Sequence, residues 1–126
     1  MAHLFVYGTL MRGMRNHAYL EKATLVGPAS TKPEFELMYN GSIPAARAGS
    51  EAIVGELYEV TDEVLSTLDV LEEVSTKLYE KKQIMLADGK EATIYLGGTI
   101  FNFDSWERIP NGDYRAMTQS QPKAAE

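Results

Sequence analysis

Cysteine is absent from the 126-residue chain, which removes disulfide frameworks, thiolate nucleophiles and Cys-based zinc sites while leaving the compartment open. Histidine is scarce: His3 and His17 have no partners at metal or triad spacing, so each reads as a surface or structural residue. No apolar run reaches the roughly 18 residues of a membrane span, and no basic region leads into a long apolar stretch at the amino terminus. No membrane partner is expected, and a cytoplasmic protein is the default. Positive charge is also short, with 12 Lys and Arg against 18 Asp and Glu and a net charge of -6. The basic residues are scattered, so no nucleic-acid partner is expected. The densest basic stretch, KLYEKK, alternates with apolar residues as a solvated strand face does. Also missing are a Walker loop, a dinucleotide fingerprint, a nucleophile elbow and an Asp-rich calcium loop. The expectation is a protein without metal or cofactor.

What is present fits one domain, large enough for a hydrophobic core. HLFVYG at 3–8 is short, apolar and closed by a glycine, the pattern of a buried strand. RNHAYLEKATLVG carries a short helical pattern from about Asn16 until Val26 and Gly27 break it. EFELMYN and AIVGELYEV alternate as half-buried strands, with NGSIPAARAGS between them as a loop. TDEVLSTLDVLEEV is the clearest helix, with Thr61 or Asp62 as cap and acidic residues in its first turn. LYEKKQIML and EATIYLGG flank ADGK, whose Asp-Gly is a favoured hairpin turn. TIFNFDSWERIPNGDYRAM is mixed, and the polar TQSQPKAAE reads as a disordered tail. Strands outnumber helices, so the class is α+β with a small, mostly antiparallel sheet or barrel.

At about 100° per residue, Val64, Leu65, Leu68 and Leu71 share one face of that helix, and Glu72 falls within the same sector. Desolvation disfavours an ionised carboxylate there and raises its pKa. Two readings stay open: Glu72 reaches solvent at the helix end, or it is a half-buried general base. Glu73, turned about 100° further round, reads as solvated. Tyr7, Tyr39, Tyr58, Tyr79 and Tyr95 sit in strand-like runs, where packing explains them and buried hydroxyls need partners. FVYGTL raises its own question, since it is either a strand ending in a turn or a strand delivering backbone amides to a ligand.

FVYGTLMRGMRNH, SIPAA, VGELYEVTDEVLSTLDVLE, LYEKK, ATIYL and IPNGDYR, taken in order, resemble the γ-glutamylcyclotransferase-like proteins, in particular the γ-glutamylamine cyclotransferase branch. The resemblance spans roughly residues 3 to 115 and implies one domain over 1–116, with 117–126 as the tail. It implies a small mixed β-barrel with flanking helices. The implied activity closes the γ-glutamyl part of a γ-glutamyl amine to 5-oxoproline and frees the amine, with no cofactor. The implied site has Tyr7, Gly8, Thr9 and Leu10 binding substrate through the backbone and Glu72 as acid/base. From their place in the matched segments, Tyr79, Tyr95 and Tyr114 would close the pocket or hydrogen-bond the substrate. Such proteins also include enzymes for γ-glutamyl amino acids or other acyl amides, and a non-catalytic module of the same fold is a further alternative. A small γ-glutamyl compound is the expected partner, and protein partners are left unassigned.

Overall fold

The computed structural model describes residues 2–71, 79–98 and 101–120. In chain order the strands are β1 (Ala2–Val6), β2 (Thr24–Ser30), β3 (Phe35–Tyr39), β4 (Pro44–Ala48), β5 (Val54–Val60), β6 (Tyr79–Met85), β7 (Glu91–Gly97) and β8 (Glu107–Arg108). Among the described residues two α-helices, α1 (Asp62–Leu71) and α2 (Tyr114–Ser120), accompany the strands with short 3-10 turns. Five strands form one sheet in the order β2-β5-β1-β7-β6, and three form another in the order β4-β3-β8. Among the described residues only the β1–β7 pairing is parallel, so the sheets are mixed and mostly antiparallel.

The central strand is apolar because it is covered on both faces: Leu4, Phe5 and Val6 are all buried. β6 and β7 form the expected hairpin. Its Asp-Gly turn is held by Leu86 N–H to Lys90 O at 2.7 Å and Lys90 N–H to Asp88 Oδ1 at 3.0 Å. Gly89 adopts φ +90 there, a conformation that favours glycine. The Thr61 hydroxyl caps α1 by accepting from Val64 N–H at 3.2 Å, and acidic Asp62 and Glu63 fill the first turn. The expected apolar face meets the core: Leu68 is fully buried, with Val64, Leu65 and Leu71 half-buried beside it.

Two segments differ from expectation. After Asn16 a 3-10 turn covers only His17–Leu20, and Thr24–Ser30 is strand β2. Pairing with β5 overrides the weak helical pattern, and Gly27 falls in a bulge of that ladder. The supposed loop after Asn40 contains β4, which starts on a proline, a position where no ladder N–H is needed. Its turn is closed by Asn40 Oδ1, which accepts from Ser42 N–H and Ile43 N–H, both at 2.8 Å.

A closed barrel is not formed among the described residues. The outer strands β2 and β6 meet at one corner, through a Thr31–Leu86 bridge and Ala87 N–H to Ser30 O at 3.0 Å. Beyond that corner the chain leaves for the three-stranded sheet, and the ladder stays open. The expected domain limit at 116 falls inside α2, whose Met117 packs against the core; 121–126 lie outside the described residues. No helix among the described residues is long and apolar enough to cross a membrane.

Leu68→Ala should lower the unfolding free energy by about 2–5 kcal/mol, the usual loss for emptying a packed leucine site. Val70→Ala on the same helix should stay within about 0.5 kcal/mol, because Val70 is 79% exposed. Urea titrations of the two variants decide the matter, and equal losses would mean that α1 buries another face.

Candidate active site around the Tyr7–Leu10 loop

β1 ends by delivering Tyr7, Gly8, Thr9 and Leu10 to the wall of a cavity of about 190 Å³. The opposite wall comes from Ile43 and Pro44 at the start of β4, Tyr79 on β6, Tyr95 on β7 and Leu71 at the end of α1. The volume suits one amino-acid-sized molecule, and the lining is mainly apolar with a few polar groups, the usual make-up of a small-molecule site.

The loop is held from within. Gly8 O accepts from Met11 N–H at 3.1 Å, Thr9 O from Asn16 N–H at 2.9 Å, and Leu10 O from His17 Nδ1–H at 2.9 Å. Asn16 also donates from its side chain to the Thr9 hydroxyl at 3.0 Å. A Cβ added to Gly8 would sit 2.6 Å from Pro44 Cγ. Glycine is therefore needed here for close approach of the proline ring.

The tyrosines expected around the site act as struts. Tyr7 donates its hydroxyl to Tyr95 O at 2.6 Å and accepts from Ala46 N–H at 3.1 Å. Tyr79 donates to Pro44 O at 2.9 Å. Tyr95 donates to Asp69 Oδ1 at 2.6 Å, while Lys81 Nζ holds Asp69 Oδ2 at 2.8 Å. Burial alone would raise the Asp69 pKa, but the hydrogen bonds from Lys81 and Tyr95 and the Lys81 charge outweigh it and keep the carboxyl below its ordinary range. Tyr114 is not brought to the cavity. It is buried against Tyr39, with ring centres 6.1 Å apart, and that burial, with Tyr39 adding to it, raises its pKa against the opposing charge of Arg15. Glu72 and Glu73 lie outside the described residues.

Sequence reasoning passed over Glu56, a carboxylate only 3% exposed. It accepts from Arg12 N–H at 2.9 Å, from Arg115 Nη1 at 3.0 Å and from the Tyr58 hydroxyl at 3.0 Å, with Arg12 Nε 3.5 Å away. Arg115 also donates to Arg12 O, so α2 is fastened to the chain just beyond Leu10. Burial pushes the Glu56 pKa up, yet the Arg12 N–H, Arg115 and Tyr58 hydrogen bonds with the Arg115 charge bring it below the ordinary 4.5. The Tyr58 hydroxyl, buried beside that carboxylate, is driven well above its usual range. A period-two reading would have found Glu56, since it shares one strand face with Tyr58 and Val60, both buried. Among the described residues no group of three His, Asp or Glu side chains is placed to hold a metal ion.

Residues 4–116 match the family described as gamma-glutamyl cyclotransferase, AIG2-like. The chain belongs to this family. It is 45% identical over 75 residues to a putative gamma-glutamylcyclotransferase of Vibrio cholerae, a match covering 59% of this chain and 65% of that protein, just under two thirds of its length. It is 37% identical over 121 residues to the gamma-L-glutamyl-butirosin B gamma-glutamyl cyclotransferase of Niallia circulans, covering 91% of this chain and 76% of that one. An AIG2-like protein of Mus musculus superposes with a TM-score of 0.70 at 26% identity, covering 100% of this chain and 99% of that chain. The α+β architecture is that of the family.

The Glu56 pKa is lower in the folded chain than in the unfolded one, so its contribution to stability is complete above about pH 4.5 and lost as pH falls through the lowered folded value. Urea unfolding between pH 7 and pH 3 should show a shallower acid decline for Glu56→Gln than for the native chain. Parallel declines would mean that the Arg12–Glu56–Arg115 cluster contributes nothing to acid sensitivity.

Proposed function

We propose that this protein cyclises the γ-glutamyl moiety of a γ-glutamyl amide, releasing 5-oxoproline and the free amine. The observation supporting it is a single cavity bounded by the Tyr7–Leu10 loop, Tyr79, Tyr95 and Leu71, the residue immediately before Glu72 in the chain. Such a substrate carries its own nucleophile. Its α-amine attacks the γ-carbonyl carbon, the new C–N bond closes a five-membered lactam, and the C–N bond to the departing amine breaks. Two protons leave the α-nitrogen and two reach the leaving nitrogen, which departs as an ammonium ion. No oxidant, reductant or covalent protein intermediate enters this balance.

The protein's share is orientation and proton movement. Holding the glutamyl chain folded onto itself is worth about 7–11 kcal/mol in favourable cases. Glu72 carries the protons, a task that needs a carboxyl pKa lifted toward the working pH. The Gly8, Thr9 and Leu10 carbonyls are bonded within the loop, so the N–H groups are what the loop offers to the negative charge that develops on the γ-carbonyl oxygen. Tyr79 and Tyr95 supply walls whose positions are set by their bonds to Pro44 O and Asp69. The substrate is a γ-glutamyl amide of a small amine or amino acid.

Incubation with γ-glutamyl amines, γ-glutamyl dipeptides and glutathione, with 5-oxoproline measured by mass spectrometry, tests the reading. Glu72→Gln should lower turnover by about 10²-fold or more, and Glu73→Gln should leave it within about threefold. Comparable turnover in the two variants would remove Glu72 from the mechanism. Silence across the whole panel would leave a binding module.

A further inference from the structure

Glycine directly follows an asparagine or aspartate at Asn40–Gly41, Asp88–Gly89 and Asn111–Gly112. In such a pair the glycine amide nitrogen can attack the preceding side-chain carbonyl carbon, because no Cβ hinders its approach. The fold treats the three pairs differently. Gly89 N–H is bonded to Leu86 O at 3.0 Å and Gly112 N–H to Ile109 O at 3.2 Å. Among the described residues Gly41 N–H enters no hydrogen bond, and Asn40, Gly41 and Ser42 are all exposed.

Geometry and chemistry set two of the pairs aside. Asn111 has φ 60 and ψ 13, which nearly eclipses the Gly112 nitrogen with its own backbone nitrogen and so turns it away from the side chain; Gly112 is also buried. Asp88 presents a carboxylate 3.7 Å from Lys90 Nζ, and an ionised carboxylate is a far poorer electrophile than an amide. At Asn40 the side-chain amide oxygen accepts from Ser42 N–H and Ile43 N–H, both at 2.8 Å. Those donors are aimed at the oxygen that turns negative when a nucleophile adds to Cγ, the arrangement that stabilises a tetrahedral intermediate.

We propose that the Asn40–Gly41 turn is a self-modification site, converting to aspartate and isoaspartate in the folded protein while Asn111 stays intact. The deprotonated Gly41 nitrogen bonds to Asn40 Cγ, the Cγ–Nδ2 bond breaks, and ammonia leaves with the proton that Gly41 gave up. Water then opens the succinimide ring. Cleavage of its Cγ–N bond leaves aspartate on an unchanged backbone. Cleavage of the bond from the Asn40 main-chain carbonyl carbon leaves isoaspartate, with the chain rerouted through Cβ and Cγ. β3 and β4 pair across this turn, with Tyr39 opposite Pro44, and Ile43 and Pro44 form one wall of the cavity. Isoaspartate lengthens the backbone by a methylene and adds a negative charge there, which loosens that wall.

The folded chain, aged at neutral pH and body temperature and then mapped by mass spectrometry, tests this. Modification at Asn40 should outrun that at Asn111 by about tenfold or more. A factor of ten is about 1.36 kcal/mol of barrier, within the net worth of a hydrogen bond such as the one holding Gly112 N–H. In the chain unfolded by urea the two rates should converge, since both sites are Asn-Gly. Equal rates in the folded chain, or an Asn40 that reacts only once the chain is unfolded, overturns the proposal. The isoaspartate form, separated by ion exchange, should unfold at lower urea than Asn40→Asp, which carries the same charge on an unlengthened backbone. Equal midpoints would overturn the effect on the cavity wall.

Discussion

The Tyr7 hydroxyl stands between two strands that belong to different sheets. It donates to the Tyr95 carbonyl on β7 and accepts from the Ala46 amide on β4, in a position only 7% exposed. Both backbone groups would lose a partner without it, and an unpaired buried polar group costs about 1–3 kcal/mol. This bond fixes how the end of β1 meets the two sheets, and the cavity lies in that junction. Pro44 follows from the same arrangement. Tyr79 holds its carbonyl, and its ring occupies the space that a side chain at position 8 would take.

Two carboxylates extend the constraint to the helices. Asp69 binds Lys81 on β6 and Tyr95 on β7, so α1 is fastened to the sheet near the end that leads into Glu72. Glu56 gathers Arg12 and Arg115, so α2 is fastened to the segment following the loop. Each sits where burial opposes ionisation and is kept charged by hydrogen bonds and a nearby cation. The loop is thus braced from both sides: its own carbonyls are satisfied internally, and its flanks are tied to charged anchors.

Much of this was legible in the chain. The Asp-Gly hairpin, the Thr61 cap and the Leu68 face of α1 follow from local chemistry that the structure keeps. Tyr7, Gly8, Tyr79 and Tyr95 do meet at one cavity, while Tyr114 packs elsewhere, against Tyr39. β2 and β4 were not legible, because their identity comes from pairing with β5 and β3, and pairing is not written in local pattern. Barrel closure failed for a related reason: where the chain changes sheets at Thr31 is a tertiary outcome.

A crystal structure of the chain with 5-oxoproline is the most direct test of the central claim, that the Tyr7–Leu10 loop is the floor of a γ-glutamyl site. The account predicts the product in the cavity between that loop and the rings of Tyr79 and Tyr95, with a loop N–H within hydrogen-bond distance of a product oxygen. Product bound elsewhere on the surface, with this cavity holding only water, would contradict it.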